Sequence, residues 1–375
     1  MIYLDNAATT KPDAECFQKA KIYIDEIFYN PSALYAEGYN LHKELNATRA
    51  KLLNFVANDR EFDLIFTSCG TEADNHAIFC GGKRGNVVTT SGEHSAIFSC
   101  ANALKEKGIE VRFAALNKDG SVNAENLLSL IDENTSLVSV IHVNNETGAI
   151  NDINGLAKQV KIKNKRALFH SDGVQAFGKI AFKLGKDIDL YSISAHKIGA
   201  LKGVGALIKR KSVSIKPFIY GGGQENGLRS GTENVFGVKF MEFAAQKRYS
   251  NLTENLKKVQ LLNNLMRDLL DNSLFDIVSG ENSSPYILTV GAKGVRGETI
   301  LHEVNDQGLI IGTGSACSSN EKKRYSRVIL ACGIGEDVAD GILRISFSAE
   351  NTEDEIRKAA EILNNTVKNR REIMS

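Results

Sequence analysis

Seven short apolar runs, each bounded by polar or glycine-containing turns, recur between residues 63 and 208 and restrict what this chain can become. They are Asp63–Phe66, Asn86–Thr90, Val111–Ala114, Ser136–His142, Ala167–Phe169, Leu190–Ser194 and Gly205–Ile208. Runs of this length, rich in valine, isoleucine, leucine and phenylalanine, suit strands covered on both faces. Between several of them lie helical patterns: Glu72–Phe79, Ser95–Lys107 and Gly155–Lys163. Alternation of this kind predicts an α/β fold, with a mainly parallel seven-stranded sheet between helices. From Val238 to Asp271 runs a long amphipathic helical pattern, with Phe240, Phe243, Leu256, Val259, Leu262 and Leu265 among its apolar positions. It marks the passage to a smaller α+β unit. The expected division is a large domain over residues 14–250 and a small one made of residues 1–13 and 251–375, because a few extended N-terminal residues cannot form a unit alone.

Composition removes several function classes. Lys and Arg number 46 against 45 Asp and Glu, a net charge of +1, so no electrostatic case exists for nucleic acid or an anionic membrane. No apolar run approaches the roughly 18 residues of a membrane span. Residues Met1 to Asp5 lack the basic and apolar regions of a signal peptide. The cysteines at 16, 69, 80, 100, 317 and 332 are scattered, with no Cys-x-x-Cys pair, which argues against a disulfide framework or a zinc knuckle. A reducing, cytoplasmic setting is expected, and no metal site is assigned.

Chemistry concentrates where strands end. Lys197 follows Ser194-Ala195-His196 directly after the run Leu190–Ser194, and Asp172 closes the run that begins at Ala167. A lysine and an acid at two strand tips is the pairing that pyridoxal phosphate requires. The amine forms the Schiff base, and the carboxylate keeps the pyridine nitrogen protonated. Gly70 and Thr71 open a helix after Thr67, with Asp74 three residues beyond Thr71 in a helix-start pattern. Such a terminus can cradle phosphate. His94 follows another strand and either lies against an aromatic ring or serves a turn. Asn144 and Asn145 either orient a substrate oxygen or make a turn, and Gln175 meets either a ring oxygen or a backbone group. All of these lie at the carboxyl ends of strands, where open α/β sheets bind their ligands.

Three further stretches carry chemistry. The glycine-rich segment 221–234 contains Arg229 and Thr232, donors that suit phosphate or simply a surface loop. Cys317 stands among small residues in Gly-Thr-Gly-Ser-Ala-Cys-Ser-Ser, which points to an exposed, mobile and reactive thiol as readily as to an inert one. The charged residues Lys322, Lys323 and Arg324 follow it. Arg344 sits inside the apolar strand Ile342–Ser346, where a buried guanidinium needs either a substrate carboxylate or an internal acid.

As a set, from Tyr3-Leu-Asp-Asn-Ala-Ala-Thr-Thr10 to Leu343-Arg-Ile-Ser-Phe347, these motifs resemble the cysteine desulfurases of the NifS/IscS type, in the class V aminotransferase family of fold type I pyridoxal-phosphate enzymes. The resemblance implies conversion of L-cysteine to L-alanine with a persulfide left on Cys317. Lys197 would be the Schiff-base lysine, Asp172 the partner of the ring nitrogen, and His94 the residue that stacks on the ring and moves protons. Gln175 and Asn145 would meet the ring oxygen. Gly70, Thr71, Ser194 and His196 would hold the phosphate, joined by Thr232 from the other subunit of a homodimer. Arg344 and Asn145 would receive the substrate carboxylate. A sulfur-acceptor protein is implied, serving iron–sulfur cluster assembly or tRNA thiolation. Two departures are visible: Cys69 stands where relatives carry glycine or alanine, and Gly199-Ala-Leu-Lys-Gly203 replaces a Gly-Pro-Lys-Gly run. Transamination of a small amino acid would use the same residues without Cys317, and a sulfur-pathway scaffold would use none of them.

Overall fold

Thr67, Ser139, Asp172 and Ser194 close their strands along one edge of a single sheet, and that edge positions everything that follows. The structure is a computed structural model that describes residues 1–82, 85–313 and 325–374. In spatial order the strands run Phe62–Thr67, Gly205–Arg210, Leu190–Ser194, Leu168–Asp172, Thr135–Ser139, Asn86–Thr90 and Val111–Ala114. Gly205–Arg210 is antiparallel to both neighbours, and the remaining pairings are parallel. The predicted seven-stranded, mainly parallel sheet is therefore present. Parallel neighbours need crossovers, so helices cover both faces and the central strands are buried almost throughout. Val87, Val88, Phe169, Leu190, Tyr191 and Ile193 have no exposed surface. Each contributes about 2 kcal/mol through burial.

The predicted helices appear as Gly70–Gly81, Ser95–Glu106 and Ile153–Lys163. Asp152 starts the third by accepting the Gly155 amide at 3.0 Å. The pattern from Val238 to Asp271 resolves into two helices, Val235–Ser250 and Leu252–Leu269, rather than one. Asn251 separates them: its side-chain amide donates to the Lys247 carbonyl at 3.0 Å, an alternative to continued helix. Only the second is amphipathic in the expected way. The first is buried around most of its circumference, including Lys239 and Glu242, which pair with each other. It packs on the helix Ala36–Val56, which the sequence reading did not identify, through Thr48, whose hydroxyl donates to Glu242 at 2.6 Å.

One apolar core draws on residues 16–245, and a second joins Ile2, Leu4 and Ala7 to residues 259–367. The second core lies beside an antiparallel sheet of Phe275–Ile277, Ile287–Ala292 and Ile342–Ser346. Ile2–Tyr3 pairs in parallel with Leu309–Ile310. The N-terminal segment then crosses back: the Thr10 amide donates to the His196 carbonyl at 2.9 Å, beside the end of the lysine-bearing strand. Among the described residues no helix is long and apolar enough to cross a membrane.

Candidate active site

A cavity of about 230 Å³ opens at the carboxyl edge of the large sheet. Gly70, Thr71, His94, Asn145, Asp172, Gln175, Ser194, His196, Lys197 and Arg344 all line it. Two glycines make the close packing there possible. A Cβ on Gly70 would stand 2.8 Å from Val174 and 3.3 Å from Ser194, filling the gap at the helix start. A Cβ on Gly173, next to Asp172, would lie 1.9 Å from the Tyr191 ring.

Lys197 ends a single 3₁₀ turn, and its Nζ donates to the carbonyls of Ala7 at 2.5 Å and Ala8 at 2.7 Å. The N-terminal motif Tyr3–Thr10 is thus part of the site, a role its sequence alone did not assign. Asp172 is buried and accepts the Val174 amide at 2.9 Å. Burial pushes its carboxyl up to about 6, against the pull of that amide and of Lys197. Gln175 donates through Nε2 to the Ala7 carbonyl at 2.8 Å and accepts from Lys179 at 2.6 Å. Asn144 proves to be the turn residue of its pair: its Oδ1 accepts the amides of Glu146 and Thr147. Asn145 reaches the cavity.

His94 caps the helix Ser95–Glu106 by accepting the Ala96 amide on Nδ1 at 3.1 Å, which assigns the ring proton to Nε2. Burial, then the charges of Lys197, Arg344 and Arg327, lower its pKa to about 4. The ring is neutral at physiological pH. His196 is likewise lowered to about 4 by burial and by Lys197, Lys202 and Lys179. This concentration of cations favours an anionic ligand.

Arg344 meets the internal acid that the sequence left as one of two options. Its Nη2 lies 2.9 Å from Asp5 Oδ1, and its Nη1 donates to the Asn145 carbonyl at 3.0 Å. Its buried Nε has no partner among the described residues, so the guanidinium retains a donor for something else.

The helix start differs from expectation. Cys69, not Thr71, is the N-cap, without a side-chain cap bond. The Ser68 amide is taken instead by Glu72 Oε2 at 2.8 Å, which leaves Thr71 in the first turn facing the cavity. Arg229 of the glycine-rich segment is engaged by Glu72 at 2.9 Å rather than left for phosphate. Thr232 is not brought to this cavity; it lines another, with Ser68, Gly203 and Arg229. Cys317 and the charged residues at 322–324 lie outside the described residues. The chain on either side is anchored at the site. Gly312 and Arg344 exchange backbone hydrogen bonds at 2.9 and 2.8 Å, Ser326 donates to Glu146, and Arg327 donates to the Glu93 carbonyl at 2.6 Å.

Comparison with known proteins gives a consistent result. A family profile described as aminotransferase class-V matches residues 2–358. A cysteine desulfurase of Trichormus azollae is 34% identical over 371 residues, covering 97% of this chain and 92% of that protein. A solved NifS-like protein superposes with a TM-score of 0.91 at 32% identity, covering 98% of this chain and 99% of the other. A structure described as SspA in complex with cysteine gives a TM-score of 0.81 at 26% identity, covering 94% and 100%.

Proposed function

The chain belongs to the class-V aminotransferase family, and from that premise we propose that it is a cysteine desulfurase that uses pyridoxal phosphate and passes sulfur through Cys317. The observation that carries the reading is the meeting of Lys197 and Asp172 in one cavity with the amino end of the helix Gly70–Gly81. The fit to the cofactor is supported by buried groups that lack partners among the described residues: Ser194 Oγ, Asp74 Oδ1 and Arg344 Nε. Gly70, Thr71, Ser194 and His196 supply donors for a phosphate. Asp172 supplies a carboxylate for the ring nitrogen, and Gln175 Nε2 with Asn145 supplies donors for the ring oxygen. His94 would lie against the ring. Thr232 would come from a second copy of the chain. When bound, the cofactor supplies an electron-withdrawing ring that stabilises negative charge on the carbon next to the substrate amine.

The protein's own groups do the rest. Arg344, through its open Nε, and Asn145 hold the carboxylate of L-cysteine. Lys197 tethers the cofactor and, when free, carries the α-proton. The Cys317 thiolate attacks the substrate sulfur; a sulfur–sulfur bond forms as the carbon–sulfur bond breaks, with its electron pair left on carbon. His94, neutral with a proton on Nε2, assists the proton return that yields L-alanine. Cys317 lies five positions after Gly312 in the sequence, a reach of at most ~18 Å, and Gly312 is hydrogen-bonded to Arg344. That tether supports the reading of Cys317 as the thiol that reaches the site. The persulfide then goes to an acceptor protein, an iron–sulfur scaffold or a tRNA-thiolation enzyme.

A homodimer is supported by exposed Phe28, Leu34, Tyr35 and Tyr39, apolar surface that a monomer rarely leaves open. We read residues 14–250 as the large domain, and 1–13 with 251–375 as the small one, in keeping with the two apolar cores. A cytoplasmic setting agrees with the free thiols at Cys16, Cys69, Cys80, Cys100 and Cys332. Incubation of the reconstituted protein with L-cysteine tests the reaction: alanine and a protein persulfide are expected, and a keto acid in their place would indicate transamination. Lys197→Ala should lose the near-visible absorbance of the loaded protein. Cys317→Ala should keep that absorbance and lose sulfur transfer; normal persulfide turnover by it would remove Cys317 from the mechanism.

A further inference from the structure

Asp74 is an acid in the cavity that the reaction described so far does not use. It lies in the helix Gly70–Gly81, is 1% exposed, and lines the same cavity as Asp172. Among the described residues its Oδ1 has no hydrogen-bond partner. One oxygen of Asp74, one of Asp172 and one ring nitrogen of His94 all lie within 4.8 Å of one another. Among the described residues no lysine or arginine lies within ion-pair distance of it. His170 Nε2 stands 3.7 Å from Asp74 Oδ1, but both His170 nitrogens are occupied, by Ser192 Oγ and Ser139 Oγ at 2.9 Å each. Burial holds that ring neutral, with a pKa lowered to about 3.

Two buried carboxylates at this distance do not both ionise. Their surroundings decide which one carries the charge. Asp172 accepts the Val174 amide and faces Lys197, both of which favour its ionised form. Asp74 faces further acids and thiols instead. Burial, then Asp172, Glu93 and Cys69, raise its affinity for a proton, against only the Ser192 hydroxyl. Burial, then the same acid, keeps Cys100 a thiol, raised to about 12.

We propose that Asp74 and Asp172 share a single proton and that Asp74 keeps it, so that Asp172 is the ionised partner offered to the ring nitrogen. Asp74 is thereby a positioning residue that sets the charge of Asp172 without touching the reacting atoms. The inference rests on the cofactor reading for its purpose, though not for its measurement. An acid that merely packed a helix would have its oxygens bonded; this one is buried, half unpartnered and pressed against the charge it governs.

Infrared difference spectroscopy of the full-length protein at neutral pH reads the proton directly, with and without added pyridoxal phosphate. Parent minus Asp74→Asn should show loss of a protonated carboxyl stretch that shifts in deuterated buffer. Parent minus Asp172→Asn should show loss of an ionised carboxylate stretch. Glu93, raised to about 8, contributes a protonated band to all three proteins and cancels. Loss of a carboxylate stretch in the Asp74→Asn difference would overturn the proposal. Asp74→Ser gives the same reading if the asparagine protein does not fold. Failure of the cofactor reading shows separately, as a parent that gains no near-visible absorbance with pyridoxal phosphate, while the infrared result still locates the proton.

Discussion

Lys179 Nζ donates to Gln175 Oε1 at 2.6 Å, and this contact determines which end of the Gln175 amide faces the site. With Oε1 occupied, Nε2 is left to donate to the Ala7 carbonyl and to an acceptor in the cavity. Lys179 is 5% exposed and, among the described residues, has no carboxylate within ion-pair distance; burial, then Lys197, Arg248 and Arg344, push its pKa well down. Replacing such a lysine by methionine removes a desolvation cost and holds or raises stability, while the amide becomes free to turn. Lys179→Met is therefore expected to keep its melting temperature and to bind pyridoxal phosphate about tenfold more weakly, one lost hydrogen bond's worth. Equilibrium dialysis checks this; affinity equal to the parent's would refute the orienting role.

Arg344 is held by Asp5 and by the Asn145 carbonyl with Nε left open, a fork already aligned before substrate arrives. Lysine at this position keeps the charge and loses the fork. For Arg344→Lys we expect KM for L-cysteine to rise about tenfold or more, with kcat changed by less than about threefold, because uniform binding is what is lost. Steady-state kinetics decide it, and an unchanged KM would exclude Arg344 from carboxylate recognition.

Much of the sheet was legible because parallel strands are covered on both faces, and a run such as Leu190–Ser194 is buried at every residue. Lys197 and Asp172 could be picked out because strand ends are where such sheets expose polar groups. Local competition was less legible. Asn251 breaks a helical pattern with one side-chain bond, and Glu72 takes over the capping that Thr71 and Asp74 seemed to offer. Lys179, Asp74, Asp5 and the carbonyls of Ala7 and Ala8 escaped because their roles depend on neighbours distant in sequence. Nothing local distinguishes Lys179 from a surface lysine. The helix Ala36–Val56 went unread although Leu41, Leu45, Leu52 and Val56 line one buried side of it, because the buried position between Leu45 and Leu52 is Thr48, which interrupts the apolar repeat.

Acid should weaken the fold through its histidines. Burial is the first cause lowering His94, His142 and His196 to about 4 and His170 to about 3. Below the ordinary value of 6.5 the unfolded chain takes up protons that the native one refuses, so this contribution to stability falls with pH until about 3 and then levels. Urea unfolding of the parent and of His142→Asn at pH 7.5 and pH 5 isolates one ring, because the buried acids titrate alike in both proteins; relative to the variant the parent should lose stability in acid. An unchanged difference between the two proteins would mean that His142 accepts its proton in the folded state.

Glu93 works in the opposite sense. It is 0% exposed; its Oε1 accepts the Thr90 hydroxyl at 2.7 Å and the Ile141 amide at 2.9 Å, and among the described residues its Oε2 has no partner. Burial pushes its carboxyl from 4.5 up to about 8, outweighing those two donors. Between these values the native protein holds a proton that the unfolded chain has released, so rising pH removes stability across this window. The displacement corresponds to roughly 4–5 kcal/mol once pH passes about 8. Glu93→Gln keeps the Oε1 acceptor and cannot ionise, so it avoids that loss. Its stability relative to the parent should therefore climb between pH 5 and pH 8.5 by several kcal/mol, measured by urea unfolding of both proteins at each pH. The histidines titrate alike in the two proteins and drop out of the comparison. Parallel stability profiles would show that Glu93 is already ionised inside the fold, with a compensating cation closer than Arg327 is placed.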